Sequence, residues 1–465
     1  MMKTSYCIDD VFERWPVRKA VKTLAIPAVA SQMVTAVCSL TDTFFVGQNG
    51  SDTEIAAVSV SYTALLLLNT IANLFGIGGS SLLSRALGEH NRQKASQSAA
   101  FSLWGAAVIS ASYAILMAVF PQQLARLFGA GDSYLNDTCT YLHYSVVLGA
   151  IPSVLVMVFG HLVRAEGGAR QAGVGLCLAG VANMVLDPLF IYPWGLNMGV
   201  AGAAMATALS HWLSLGYFTL YLYRERAHSV LSFQTRHLRL PRQLVWDILS
   251  TGFPQSIKTV MSTLSGSVMN HLAAPFGEYV VAAIGVAHKF DLIPMNVATG
   301  FSAGSLPMIG YTYAAQQYDR MKEALRYSQR YALYVSAGCM VVYLLFSPVL
   351  TGLFIQDEQT AQMGAQFLRV LSLALPGMTV SFIFTALFQA TGRAREALIM
   401  SLYRKGAVDI PLLFLFNAIL PMWGLLLVQP VVDTTAVLLA WHFYKRFNRE
   451  LQTLQGGDET CPAKA

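Results

Sequence analysis

Ala165-Glu166-Gly167-Gly168-Ala169-Arg170-Gln171-Ala172 and Ala390-Thr391-Gly392-Arg393-Ala394-Arg395-Glu396-Ala397 share the pattern A-x-G-x-A-R-x-A at a spacing of 225 residues. The spacing recurs on both sides of the pair. Pro27 matches Pro254, Pro121 matches Pro348, Leu127-Phe128 matches Leu353-Phe354, Tyr141-Leu142 matches Phe367-Leu368 and Pro152 matches Pro376, at offsets of 224 to 227. A near-constant offset across half the chain marks an internal duplication, so one structural unit is expected twice.

Composition sets the solvent of that unit. Of 465 residues 12% are charged and 55% hydrophobic, with a mean hydropathy of +0.49, whereas a soluble domain has about 25% charged residues. Such a chain cannot cover itself with polar surface in water. Apolar runs of roughly 20 residues or more recur, each long enough to cross a hydrocarbon core about 30 Å thick. Helices satisfy their own backbone in lipid and open sheets do not. Spans are expected near 22–46, 55–84, 98–120, 138–163, 171–194, 199–223, 245–275, 281–313, 328–354, 362–390, 396–419 and 422–445. With six in each half, the second copy enters in the same orientation as the first, and the copies are related by an axis along the membrane normal. The expected fold is an all-α integral membrane protein: twelve transmembrane helices in two six-helix bundles with pseudo-two-fold symmetry. Its parts are a cytoplasmic lead-in (1–21), a first lobe (22–223), a linker (224–244), a second lobe (245–445) and a cytoplasmic tail (446–465).

Charge orients the spans. With the N-terminus inside, the inner segments hold Lys3, Arg14, Arg18, Lys19 and Lys22; Arg85, Arg92 and Lys94; Arg164 and Arg170; and the five arginines of the linker. The second half adds Arg320, Lys322, Arg326 and Arg330, then Arg393 and Arg395, then Lys445, Arg446 and Arg449, while the outer loops hold Arg126 alone. This is the positive-inside pattern, and a missed span would scramble it. The net charge of +6 therefore reads as topology, and no nucleic-acid partner is expected. The first twenty residues lack an apolar run before a small-residue cleavage site, so no cleaved signal peptide is expected. Cys38, Cys177 and Cys339 fall inside spans, Cys7 and Cys461 in the tails, and Cys139 stands alone near the outside, which gives neither a disulfide framework nor a C-x-x-C site.

Function in such a chain is sought where polarity is expensive. Asp42 lies about 30 Å into span 1 and Asp187 about 24 Å into span 5, both in the outer half of the membrane. Asn183 precedes Asp187 by four residues and shares its helical face. Thr207 enters from outside on span 6 to a depth of about 12 Å. These four side chains are expected at one level. Two carboxylates close together in a low dielectric cannot both ionise cheaply, which suits the cluster to binding a proton; the same oxygens suit a hard cation such as Na⁺, with the amide and hydroxyl completing the shell. Pro188 cannot donate to the carbonyl of Met184 and should break the helix beside the acid, and Pro27 permits a bend in the span that carries Asp42.

These residues resemble a known family. Ile26-Pro27 through Thr41-Asp42-Thr43, the run Asn183-Met184-Val185-Leu186-Asp187-Pro188, and Gly199-Val200-Ala201-Gly202-Ala203-Ala204-Met205-Ala206-Thr207 are similar to the multidrug and toxic compound extrusion (MATE) transporters. Gly300-Phe301 through Pro307, Gly310-Tyr311 and Gln389-Ala390-Thr391-Gly392 fit as well, most like the MepA-like bacterial branch, and the resemblance spans about residues 20 to 445. It implies two lobes around a cleft open alternately to each side, exporting cationic or amphipathic organic compounds against inward H⁺ or Na⁺. It also implies an ion site at Asp42, Asn183, Asp187 and Thr207, with the proline at position 27 bending span 1. The sequence departs from the sodium-coupled branch typified by NorM, whose second-lobe Glu and Asp fall here at Ser262 and at Val380 beside Ser381. That second site looks absent.

Other charges within the spans are weaker candidates. His288 and Asp291, three residues apart, are read as a possible pair or relay, with Lys289 pointing elsewhere. Asp409 with Pro411, near the repeat position of Asp187-Pro188, is a possible substrate contact. Lys258, Arg404 and Lys405 are read as snorkelling toward the inner side, and Asp433 as a packing residue. Neither H-E-x-x-H, Walker A nor G-x-S-x-G occurs, so neither an enzyme nor ATP-driven transport is expected, nor any cofactor. The expected protein is a monomeric antiporter of the bacterial inner membrane, with both termini cytoplasmic. A flippase for lipid or lipid-linked oligosaccharide with related lobes is the alternative.

Overall fold

The computed structural model describes residues 10–49, 52–227, 229–231, 241–354 and 357–458. The start of the lead-in with Cys7, the stretch of the linker that holds Arg236 and Arg239, and the end of the tail with Cys461 lie outside the described residues.

The apolar runs fold as helices, and no strand occurs among the described residues. The first half comprises α1 (Val17–Asn49), α2 (Asp52–Gly88), α3 (Arg92–Val119), a short α4 (Pro121–Leu127), α5 (Leu135–Leu142), α6 (Ala150–Ala165), α7 (Ala169–Ile191) and α8 (Gly199–Glu225). The second comprises α9 (Arg242–Ala273), α10 (Glu278–Ala314), α11 (Tyr318–Gly352), α12 (Glu358–Ser372), α13 (Leu375–Ala390), α14 (Ala394–Leu402), α15 (Asp409–Ile419) and α16 (Trp423–Asp458). A π-turn, His143–Leu148, joins α5 to α6, and another, Tyr403–Ala407, joins α14 to α15. With α5–α6, α12–α13 and α14–α15 each counted as one crossing, and the short α4 left aside, the described residues make twelve, six per half.

Among the described residues, seven single helices and two bent pairs are long and apolar enough to cross a membrane. The other three crossings, α8, α9 and α14–α15, are more polar or interrupted, yet each has a repeat partner among the nine: α16, α1 and α7. Both bent pairs carry a matching proline. α5–α6 turns by 48° near Pro152 and α12–α13 by 44° near Pro376, where each ring removes a backbone donor. The octamers end these bent crossings alike. Gly167 and Gly392 adopt φ of +89° and +75°, a region that favours glycine. Gly168 N donates to Val163 O at 3.0 Å and Arg393 N to Phe388 O at 2.7 Å, the six-to-one bond that closes a helix C-terminus.

Apolar side chains on the outer rim face outward. α3 exposes Val108, Ile109, Ile115 and Leu116, and its repeat partner α11 exposes Val341, Val342, Leu345 and Phe346. A ring of this kind needs lipid around it.

The lobes meet through exchanged pairs, α1 on α10 and α2 on α9. Contact is backbone to backbone. A Cβ on Gly252 would fall 1.9 Å from Leu74 O, one on Gly78 2.0 Å from Ile248 O, and one on Gly304 2.5 Å from Ala25 Cα. Gly252 is the repeat match of Ala25, and Gly304 that of Gly78, so the two contacts are one contact made twice. All lie toward the helix ends that carry the Arg and Lys residues, so the lobes are shut at the basic face. The segment Asp10–Arg14 adds a clamp there: Tyr311 Oη donates to Glu13 Oε1 at 2.6 Å, and Arg320 donates to Phe12 O at 2.8 Å and Trp15 O at 2.6 Å.

Pro188 differs from expectation. α7 runs past it to Ile191, while α1 carries Pro27 inside a helix that extends to Asn49. Pro188 sits one turn before the end of α7, where Tyr192 N donates to Pro188 O, so the helix ends after the proline and not beside Asp187.

Candidate functional site

Between the lobes lies a cavity of about 430 Å³, walled by α1, α2, α6, α7 and α8 on one side and α9, α10 and α13 on the other. Its size is that of a small-molecule pocket. The charged residues on its wall are Asp42, Arg164 and Lys258, joined by the imidazoles of His161 and His211.

The carboxylate cluster forms where α7 lies close on α1. Glycine sets that approach: a Cβ at Gly180 would fall 2.7 Å from both Cys38 Sγ and Val34 Cγ1, and one at Gly173 3.1 Å from Pro27. One turn above that contact, Asp42 reaches across to interact with Asp187 and Asn183. Asn183 Nδ2 donates to Asp187 Oδ1 at 2.9 Å and to Thr207 Oγ1 at 3.2 Å. The structure thus brings all four sequence candidates together. Asp187 is fully buried behind Asn183, while Asp42, Asn183 and Thr207 line the cavity. Asp42 Oδ1 and Asp187 Oδ2 are buried and meet no donor. Buried carboxylate oxygens without a partner are expensive, and a proton or a hard cation would satisfy them. Among the described residues no group of three or more His, Cys, Asp or Glu side chains is set to hold a metal ion, so a Na⁺ shell here would depend on the oxygens of Asn183 and Thr207.

His211 belongs to this site and the sequence reading omitted it. Its Nδ1 lies 2.8 Å from Thr207 O and its ring is within electrostatic reach of Asp42. The signal was the four-residue spacing from Thr207, which puts both on one face.

The second-lobe candidates lie elsewhere. His288, Asp291 and Asp409 do not line the cavity. His288 Nε2 faces Met269 Sδ at 3.5 Å and makes no ion pair with Asp291, and Asp409, 2% exposed, accepts a bond from Ser265 Oγ. Snorkelling is overturned for the three cations. Arg404 is 5% exposed and ion-paired with Asp433, itself fully buried, so Asp433 is more than packing. Gln429 links the pair to Lys405, donating to Asp433 Oδ2 at 2.7 Å and accepting from Lys405 Nζ at 2.7 Å. Lys258 faces the cavity with its Nζ 3.6 Å from the centre of the Phe382 ring, a cation–π contact. Within the spans α1 and α7 carry Asp42 and Asp187, whereas their repeat partners α9 and α14–α15 carry Lys258, Arg404 and Lys405 beside Asp409.

Comparison with known proteins agrees with the duplication. The MatE family model matches twice, over residues 27–189 and 254–415, each match beginning at one of the paired prolines. The multidrug export protein MepA of Staphylococcus haemolyticus is 27% identical over 447 residues, 95% of this chain and 97% of its own. MepA of Staphylococcus aureus (strain MSSA476) is 26% identical over 455 residues, 96% of this chain and 98% of its own. Among solved structures, an outward-facing multidrug resistance MATE transporter superposes with a TM-score of 0.90 at 22% identity, covering 97% of this chain and all of the other, and a MATE transporter in a straight conformation with 0.89 at 23% over the same shares. With the family model matched over most of its length, in two copies that coincide with its own repeat, this chain belongs to the MatE family of multi-pass membrane transporters and is not an enzyme.

Proposed function

We propose that the protein is a secondary antiporter that exports cationic or amphipathic organic compounds in exchange for inward H⁺ or Na⁺. It works as a monomer in the bacterial cytoplasmic membrane with both termini in the cytoplasm. Its relatives' designation as multidrug export proteins supports the substrate class. The observation that carries the reading is the pair of partnerless carboxyl oxygens, Asp42 Oδ1 and Asp187 Oδ2, beside a cavity between two lobes.

α1 connects that site to the lobe contact. Near one end it presents Asp42; near the other, Ala25 and Val29 pack on Gly304 and Gly300 of α10. Pro27 lies between Ala25 and Val29, next to a carbonyl its ring leaves without a donor. An ion at Asp42 and Asp187 relieves the unpaired charge and lets α1 bend at Pro27, which loosens the seam at the basic face. Pro188 softens the last turn of α7 in the same way. Coupling requires only that the ion bind one state more tightly than the other; a hundredfold difference shifts the balance of states by about 2.7 kcal/mol.

The test is dye efflux from proteoliposomes under a pH gradient and, separately, a Na⁺ gradient. Asp42→Asn and Asp187→Asn should each stop gradient-driven efflux while dye binding persists. Coupled efflux at the wild-type rate in the double variant would sink the proposal.

A further inference from the structure

The cavity holds two more buried polar groups that the ion cluster does not use. Arg164 on α6 and Gln389 on α13 are 4% and 3% exposed, and both line the cavity. Among the described residues the Arg164 side chain makes no ion pair and donates no hydrogen bond, and its Nε is buried without an acceptor; Gln389 Nε2 is buried without one as well. The nearest carboxylate in sequence, Glu166, is taken up by Ser229 Oγ and the backbone N–H groups of Val230 and Leu231.

The two positions are repeat equivalents, 225 residues apart, each immediately before an octamer. They also match in geometry. The carbonyls of Arg164 and Gln389 accept Gly167 N at 3.0 Å and Gly392 N at 3.2 Å. The duplication thus sets one donor from each lobe on the cavity wall near the basic face, below the level of Asp42. Lys258 adds a second cation from α9, so the cavity is acidic toward its outer end and basic toward its inner end.

Buried N–H donors and an unpaired guanidinium call for an oxygen acceptor that carries negative charge, and a guanidinium suits a planar carboxylate best. We propose that Arg164 and Gln389 form an anion subsite on the cavity wall near the basic face, the pair of residues that takes the carboxylate of an amphipathic substrate and sets the preference for acid over ester. This rests on the reading of the cavity as the substrate site.

The matched probes are rhodamine 110, which has a free carboxylic acid, and its methyl ester rhodamine 123, measured by fluorescence anisotropy on the full chain in detergent. The wild type should bind the acid more tightly than the ester. Arg164→Gln should lower the acid-to-ester affinity ratio by about tenfold, the worth of one charge-assisted bond, and Gln389→Leu by about threefold. Arg164→Lys should restore most of the ratio, which a misfolded variant cannot do. An unchanged ratio in Arg164→Gln, or equal loss for both dyes with no rescue by lysine, would overturn the subsite. Wild-type protein that binds neither dye would overturn instead the reading of the cavity on which the subsite rests.

Discussion

Replacing Gly252 by alanine tests how the lobes are held shut. The added methyl would sit 1.9 Å from the carbonyl oxygen of Leu74 on the opposite lobe, where ordinary contact begins near 3.4 Å. Both partners are helix backbone, so no rotamer change relieves the clash, and α2 and α9 must separate by about 1.5 Å at this point. Overpacking of this kind costs about 1–3 kcal/mol. The cost falls on the state closed at the basic face and not on a state in which the lobes have parted there. The balance should move toward the parted state by a factor of roughly 5 to 150. Spin labels on Gln93→Cys and Glu323→Cys, exposed at the starts of the repeat-related helices α3 and α11, report the gap in a background without other cysteines. Their distance distribution should gain or enlarge a longer component in Gly252→Ala. An unchanged or shortened distribution would refute the claim that the Gly78–Gly252 seam sets the closed state.

Other consequences are as direct. Glu166, in the turn between α6 and α7, is buried; desolvation outweighs its hydrogen bonds from Ser229, Val230 and Leu231 and pushes its carboxyl up to about 7. Because the folded chain then holds that proton more tightly than the unfolded one, stability should fall as pH rises from about 4.5 to about 7, by no more than about 3 kcal/mol, and level off above. Melting curves across that window should show the decline in the wild type and its loss in Glu166→Gln; the same slope in both would contradict the assignment. Asp433→Asn strands a buried guanidinium and should cost about 3–5 kcal/mol, while Arg404→Met with Asp433→Leu should recover most of it; thermal unfolding in detergent separates these outcomes.

The duplication was legible because prolines and helix-ending glycines must recur wherever the same backbone recurs. The carboxylate cluster was legible because counting along a helix gives depth and a four-residue spacing gives a face. Depth does not give azimuth about the lobe axis, and that is where the reading failed. Lys258 was assigned to the inner water surface by its height, yet α9 turns it into the cavity. Arg164 passed for a topological charge, although its place on α6 puts it on the cavity wall. His288 and Asp291 share a helix face but not a partner, because Met269 occupies the space beside the imidazole. Pro188 was expected to break α7, but so close to the helix end the lost donor leaves a single turn to be held by its remaining bonds.

The central claim is that Asp42 and Asp187 together bind the ion whose inward movement drives export. The most direct measurement is counter-ion flux itself: internal pH, and in parallel internal Na⁺, recorded in proteoliposomes as substrate is added. The wild type should move one of these ions in step with substrate, and the Asp42→Asn, Asp187→Asn double variant should bind substrate yet move neither. Substrate-linked ion flux of undiminished size in the double variant would contradict the account.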